Sequence, residues 1–107
     1  MEEVLGSFVG FQWDRGNSDK NLLKHNVHNW ECEQVFFNKS LFVIEDPGHS
    51  LAEKRWAGFG KTDSGRFLTV IFTKRGSLLR VISARDMNNK ERKFYEENEK
   101  KNSKFQE

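Results

Sequence analysis

The hydrophobic pattern changes character at Leu41. Before it, the short run GFQWD at 10–14 alternates, with Phe11 and Trp13 on one face, and predicts a brief strand closed by Asp14. Sparse apolar residues, Leu22 and Leu23, then predict a short helix over about Ser18 to His25, which Asn26 can end in the left-handed conformation. NWECEQVFFN at 29–38 predicts a second helix, with Asn29 suited to the N-cap and Glu31 in the first turn. After Leu41, LFVIED, RWAGFGKT, RFLTVIFTK and LLRVISAR are four β-rich runs. TDSG and KRGS join the last three as short Gly-containing hairpins, giving an antiparallel meander to which the first strand can add at an edge. Pro47 and Gly48 mark a turn before the second run. A last helix should start after Asn88, with Glu91 at capping-box spacing; only Phe94 and Tyr95 can anchor it. Beyond about Asn98 it is expected to fray.

A chain of 107 residues has room for a single domain and one core. The expected class is α+β: an antiparallel sheet of four to five strands with two N-terminal helices and one C-terminal helix, residues 1–10 being an extension and about 98–107 a tail. Ten Phe and three Trp make the core aromatic. The net charge of +2 is small but unevenly spread. Residues 1–60 hold six Lys and Arg against nine Asp and Glu, and residues 61–107 hold twelve against seven, so the C-terminal half is the basic one. One cysteine, Cys32, cannot form an internal disulfide and reads as a small core residue; with the acidic start MEEV and no long apolar run, the expected location is cytoplasmic, away from membranes.

Three arginines draw most interest. Arg66 follows the DSG turn, and Arg80 and Arg85 lie on the last predicted strand. Uninterrupted alternation would send Arg80 and Arg85 to opposite faces, but a bulge or the strand end near Ala84 would bring both to one edge beside Arg66. Converging guanidiniums would suit phosphate oxygens; alternatively, each pairs with a surface carboxylate, the reading preferred for Arg75. His25 and His49 can exchange protons near neutral pH, and Lys24 can hold an anion, though a histidine at a helix end also serves to satisfy carbonyls. His28 is a weaker candidate. Glu53 is either a carboxylate base or one charge flanking a strand. Tyr95 joins a stackable ring to a proton. None of these spacings resembles a metal site.

Taken in order, FQWD at 11–14, NLLKHNV at 21–27, WECEQVFFN at 30–38, DPGHSLAEKRW at 46–56, GKTDSGRFLTVIFTKRG at 60–76 and RVISARDMNNKERKFYE at 80–96 resemble the BrnT family of toxins from bacterial type II toxin–antitoxin systems. Asn26 stands where the family usually has Gly. The resemblance implies a RelE-like ribonuclease fold, an endoribonuclease that cleaves RNA without metal or cofactor and inhibits translation, and neutralisation by a cognate BrnA-like antitoxin through which alone operator DNA is met. It implies Arg66, Arg80 and Arg85 on the scissile phosphate, Lys24 assisting, His25 or Glu53 as base or acid, and Tyr95 stacking on a base or donating a proton. The alternative is a non-catalytic RNA- or ribosome-binding domain using the same basic edge.

Overall fold

The computed structural model describes residues 8–46 and 53–106, with side chains through Lys101. The Pro47–Gly48 turn and His49 lie outside them. The elements run β1 (Gly10–Phe11), α1 (Lys20–His25), α2 (Asn29–Phe37), β2 (Phe42–Glu45), β3 (Trp56–Lys61), β4 (Phe67–Arg75), β5 (Leu78–Asp86) and α3 (Asn89–Gln106). This is the expected α+β arrangement of five strands and three helices. The sheet order is β1-β5-β4-β3-β2. Strands β2 to β5 form an antiparallel meander, and β1 joins β5 in parallel, as the strand added at the edge.

Both hairpins turn where glycine permits it: Gly65 has φ 89 and Gly76 φ 61, a left-handed backbone that other residues adopt only with strain. Asn26 ends α1 at φ 56, ψ 40, and its N–H reaches the carbonyls of Asn21 and Leu22. The N-cap of α2 is His28 rather than Asn29, because the Glu31 carboxylate accepts from the His28 backbone N–H at 3.0 Å while Asn29 donates instead to the Ser18 hydroxyl. The capping box of α3 forms as its spacing predicts, with Asn88 N–H on Glu91 at 3.0 Å and Glu91 N–H on Asn88 at 2.8 Å. The helix continues past Asn98 to Gln106.

Alternation divides the sheet into two faces. Leu68, Val70 and Phe72 of β4 and Leu79, Val81 and Ala84 of β5 face the helices and pack with Val27, Val35 and Phe36. A Cβ on Gly60 would stand 2.9 Å from a Val35 methyl, so glycine there lets α2 approach β3 closely. On the opposite face α3 covers one end, where Tyr95 packs with Ala57 and Phe59, and Phe42 and Phe67 close around it.

β1 stops after two residues, and the outer edge of β5 beyond Leu79 needs other hydrogen-bond partners. Two asparagines supply them. The Asn17 amide donates to the Val81 and Gln12 carbonyls, each at 2.9 Å, and Asn21 Oδ1 accepts the Ala84 N–H at 2.9 Å. Both are only 2% exposed. Asn17→Ala should therefore strand two carbonyls and lower the unfolding free energy by about 2 kcal/mol. Urea denaturation measures this, and a loss below about 0.5 kcal/mol would mean that water replaces the amide.

Candidate functional site

Arg85 reaches the open face because β5 contains one extra residue. Ile71 pairs with Ser83 and the next residue, Phe72, with Val81, so Ile82 has no partner on β4. This bulge reverses the alternation: Val81 and Ala84 both face the core, and Arg85, opposite Thr69, turns to the side away from α1 and α2. There it forms two parallel bonds to Glu91, at 2.7 and 2.9 Å, and a third to the Asp86 carbonyl at 3.2 Å. Thr69 donates to the same Glu91 at 3.0 Å. Arg85 remains 37% exposed and borders a cleft of about 500 Å³ across the sheet, lined also by Ile44, Ala57, Thr69, Ile71 and Ser83.

Arg66 lies at the same end of the sheet, on the helix side. Its Nε and Nη2 hold the Asp86 carboxylate at 2.7 and 3.1 Å. Its remaining donors go to the Asn26 carbonyl at 2.7 Å, the His25 carbonyl at 3.2 Å and Glu31 at 3.3 Å. The guanidinium thus caps the C-terminus of α1 and ties it to both strands. Lys24 is exposed and His25 half-buried on that helix end. Asp86 thus joins the two sides of this strand end, its carboxylate held by Arg66 with His25 nearby and its carbonyl bonded by Arg85.

The expected convergence of three guanidiniums does not occur. Arg80 shares the open face with Arg85 but pairs with Thr73, four β4 residues from Thr69, roughly 13 Å along a strand. Its side chain, 13% exposed, holds Asp14 at 2.8 and 3.0 Å and Gln12 at 3.2 Å, clamping the β1 segment to β5. Glu53 belongs to that far end too, pairing with Arg75 at 3.1 Å. Tyr95 is fully buried and donates to the Ser40 carbonyl at 2.7 Å, so its ring is occupied by packing against Phe42 and Phe67. Burial, with Glu99 nearby, pushes its hydroxyl up to about 12 despite the bond to Ser40. Cys32 is a core residue, its thiol pushed up to about 12 chiefly by burial.

The family model described as ribonuclease toxin, BrnT, of type II toxin–antitoxin system matches residues 13–91. The chain belongs to the BrnT family. The crystal structure of the Brucella abortus ribonuclease toxin BrnT is similar in fold at a TM-score of 0.57 and 25% identity, over 76% of this chain and 99% of that one. No curated protein matches the sequence. No helix among the described residues is long and apolar enough to cross a membrane.

In this BrnT chain the carboxylates around the arginines matter as much as the arginines, and sequence reasoning assigned none of them to the site. Asp86 directly follows Arg85 with no pattern of its own, and the spacing of Glu91 predicts only a helix cap. Their pairing partners are set by register and by the docking of α3, which local pattern does not reveal. The hydrogen bond from Arg66 holds Asp86 below the usual carboxylate range. Burial alone would raise Glu91, but bonds from Arg85, the Asn88 N–H and Thr69 together outweigh it and hold Glu91 low. A depressed folded-state value contributes stability above the ordinary carboxylate pKa and loses it as pH falls through the lower, folded one. Glu91→Gln should therefore lower Tm at neutral pH, with the gap to wild type closing below about pH 3. A gap that stays constant down to about pH 2 would contradict this account of Glu91.

Proposed function

We propose that this BrnT-family chain is an endoribonuclease toxin that cuts RNA without a metal ion and thereby inhibits translation, using the Asp86 end of the sheet. Family membership over residues 13–91 carries the ribonuclease reading. Arg85 beside an open cleft, with Arg66 and His25 around the Asp86 carboxylate at the same strand end, supports the location. Such cleavage needs a base to take the proton of the 2′-hydroxyl, cations for the charge that grows on the phosphorus oxygens, and an acid to protonate the leaving 5′-oxygen. The 2′-oxygen bonds to phosphorus as the bond to the 5′-oxygen breaks, leaving a 2′,3′-cyclic phosphate and a 5′-hydroxyl.

Arg85 is the phosphate ligand in this scheme. Its bonds to Glu91 and the Asp86 carbonyl leave other N–H groups and a third of its surface toward the cleft. Lys24, exposed on α1, adds a mobile positive charge. His25, with the negative Asp86 near it, is the proton-transfer group preferred over Glu53, which stands at the other end of the sheet. Arg66 and Arg80 act as positioning residues, the first by holding the α1 terminus that carries Lys24 and His25, the second by holding the β1 segment. The partner in this reading is a cognate BrnA-like, DNA-binding antitoxin with acidic side chains that cover the cleft and Arg85, so operator DNA is met only through it, in the cytoplasm.

Purified protein should cut single-stranded RNA in the presence of EDTA, leaving cyclic phosphate ends. Arg85→Ala should reduce the rate roughly a hundredfold to a thousandfold, the about 2.7–4 kcal/mol expected of a lost charged donor, while circular dichroism shows a folded chain. Wild-type cleavage by a folded Arg85→Ala would remove Arg85 from the mechanism. Salt-sensitive RNA binding with no cut products would favour the non-catalytic RNA-binding alternative.

A further inference from the structure

Trp30 is 56% exposed on the first turn of α2. Its indole lies against the His28 ring, with centroids 5.2 Å apart and planes inclined by 15°. The backbone beneath the two rings is tightly held. Val27 is fully buried and its N–H bonds to the Asn21 carbonyl at 3.1 Å, the His28 N–H bonds to Glu31, and Asn29 bonds to Ser18. Glu31, next to Trp30 in the chain, touches Arg66, and Arg66 in turn holds the carbonyls of His25 and Asn26. A large, exposed flat ring thus sits on a firmly held helix start a few residues from Lys24 and His25.

We propose that the stacked His28 and Trp30 rings are a platform for an unpaired base of the RNA substrate, a specificity-determining contact that rests on the ribonuclease reading above. Single-stranded RNA is recognised by stacking its splayed bases on aromatic side chains, and an indole offers a wide face for this. The open side of Trp30 meets that need, and His28 behind it keeps the indole from rotating away. Lys24, exposed on α1 a few residues before the platform, supplies positive charge for the RNA backbone. The base is the occupant favoured over a protein side chain because the platform follows directly on the α1 end that carries Lys24 and His25, and Arg66 bonds both that end and Glu31.

The test compares wild type, Trp30→Ala and Trp30→Phe on a labelled single-stranded RNA oligonucleotide, measuring Kd, KM and kcat. Trp30→Ala should raise Kd and KM roughly tenfold or more, with kcat altered much less, and Trp30→Phe should recover most of the loss. An oligonucleotide with an abasic position at the contacted nucleotide should bind wild type and Trp30→Ala alike. If wild type cuts RNA and Trp30→Ala matches it within about twofold in KM on every sequence tried, the platform is overturned and the ribonuclease reading stands. If Trp30→Ala weakens the complex with the cognate antitoxin but not RNA binding, the surface belongs to the protein partner and the proposal falls. If wild type neither binds nor cuts RNA, both fall together.

Discussion

The extra residue in β5 decides where the chemistry of this protein can be. With strict alternation, Val81 in the core would place Arg85 in the core as well, where a guanidinium without close partners is too costly to bury. Ile82 shifts the count by one, so Ala84 fills the core position and Arg85 emerges beside the cleft. The bidentate contact of Arg85 with Glu91 follows from that shift and, through it, so does the seating of the first turn of α3.

Polar bonds at the edges of β5 complete what packing begins. β1 covers only its first residues, and Asn17 and Asn21 take over as hydrogen-bond partners for the strand beyond. Arg80 fastens the loop that carries Asn17, and a Cβ on Gly16 would meet the Arg80 guanidinium at 2.8 Å, so that loop is shaped around the arginine. At the other end Arg66 joins α1, α2 and β5 in one network. Two of the three arginines that looked alike in the sequence therefore work as structural clamps. Exposed ion pairs add little stability, but Arg66 and Arg80 are mostly covered and each makes several bonds, so their main effect is to fix geometry.

Such rigidity matters for a cleavage site because a phosphate must meet its donors at fixed positions for them to favour the transition state. α1 is only six residues long and would not persist alone, yet it carries Lys24 and His25. Its C-terminal carbonyls are held by Arg66, its Asn21 is bonded to β5, and Val27 after it is fully buried. The fold thus turns a marginal helix into a stable support for Lys24 and His25. The His28 and Trp30 rings stand on the next turn of the same support.

Several features were legible in local sequence. Period-two runs marked all four strands of the meander, glycines marked its hairpins, Asn26 marked the end of α1, and Asn88 with Glu91 marked the start of α3. These depend on backbone preferences within a few residues, and the ordered motifs were enough to place the chain in its family. Tertiary structure alone decided the rest. Whether a bulge falls in β5, which carboxylate each guanidinium meets, and whether Tyr95 points outward or inward depend on contacts between residues up to dozens of positions apart, such as Arg66 with His25 and Tyr95 with Ser40. A charge pattern records that opposite partners exist, but register and helix docking choose among them, because only the folded chain brings particular donors within about 3 Å of particular acceptors.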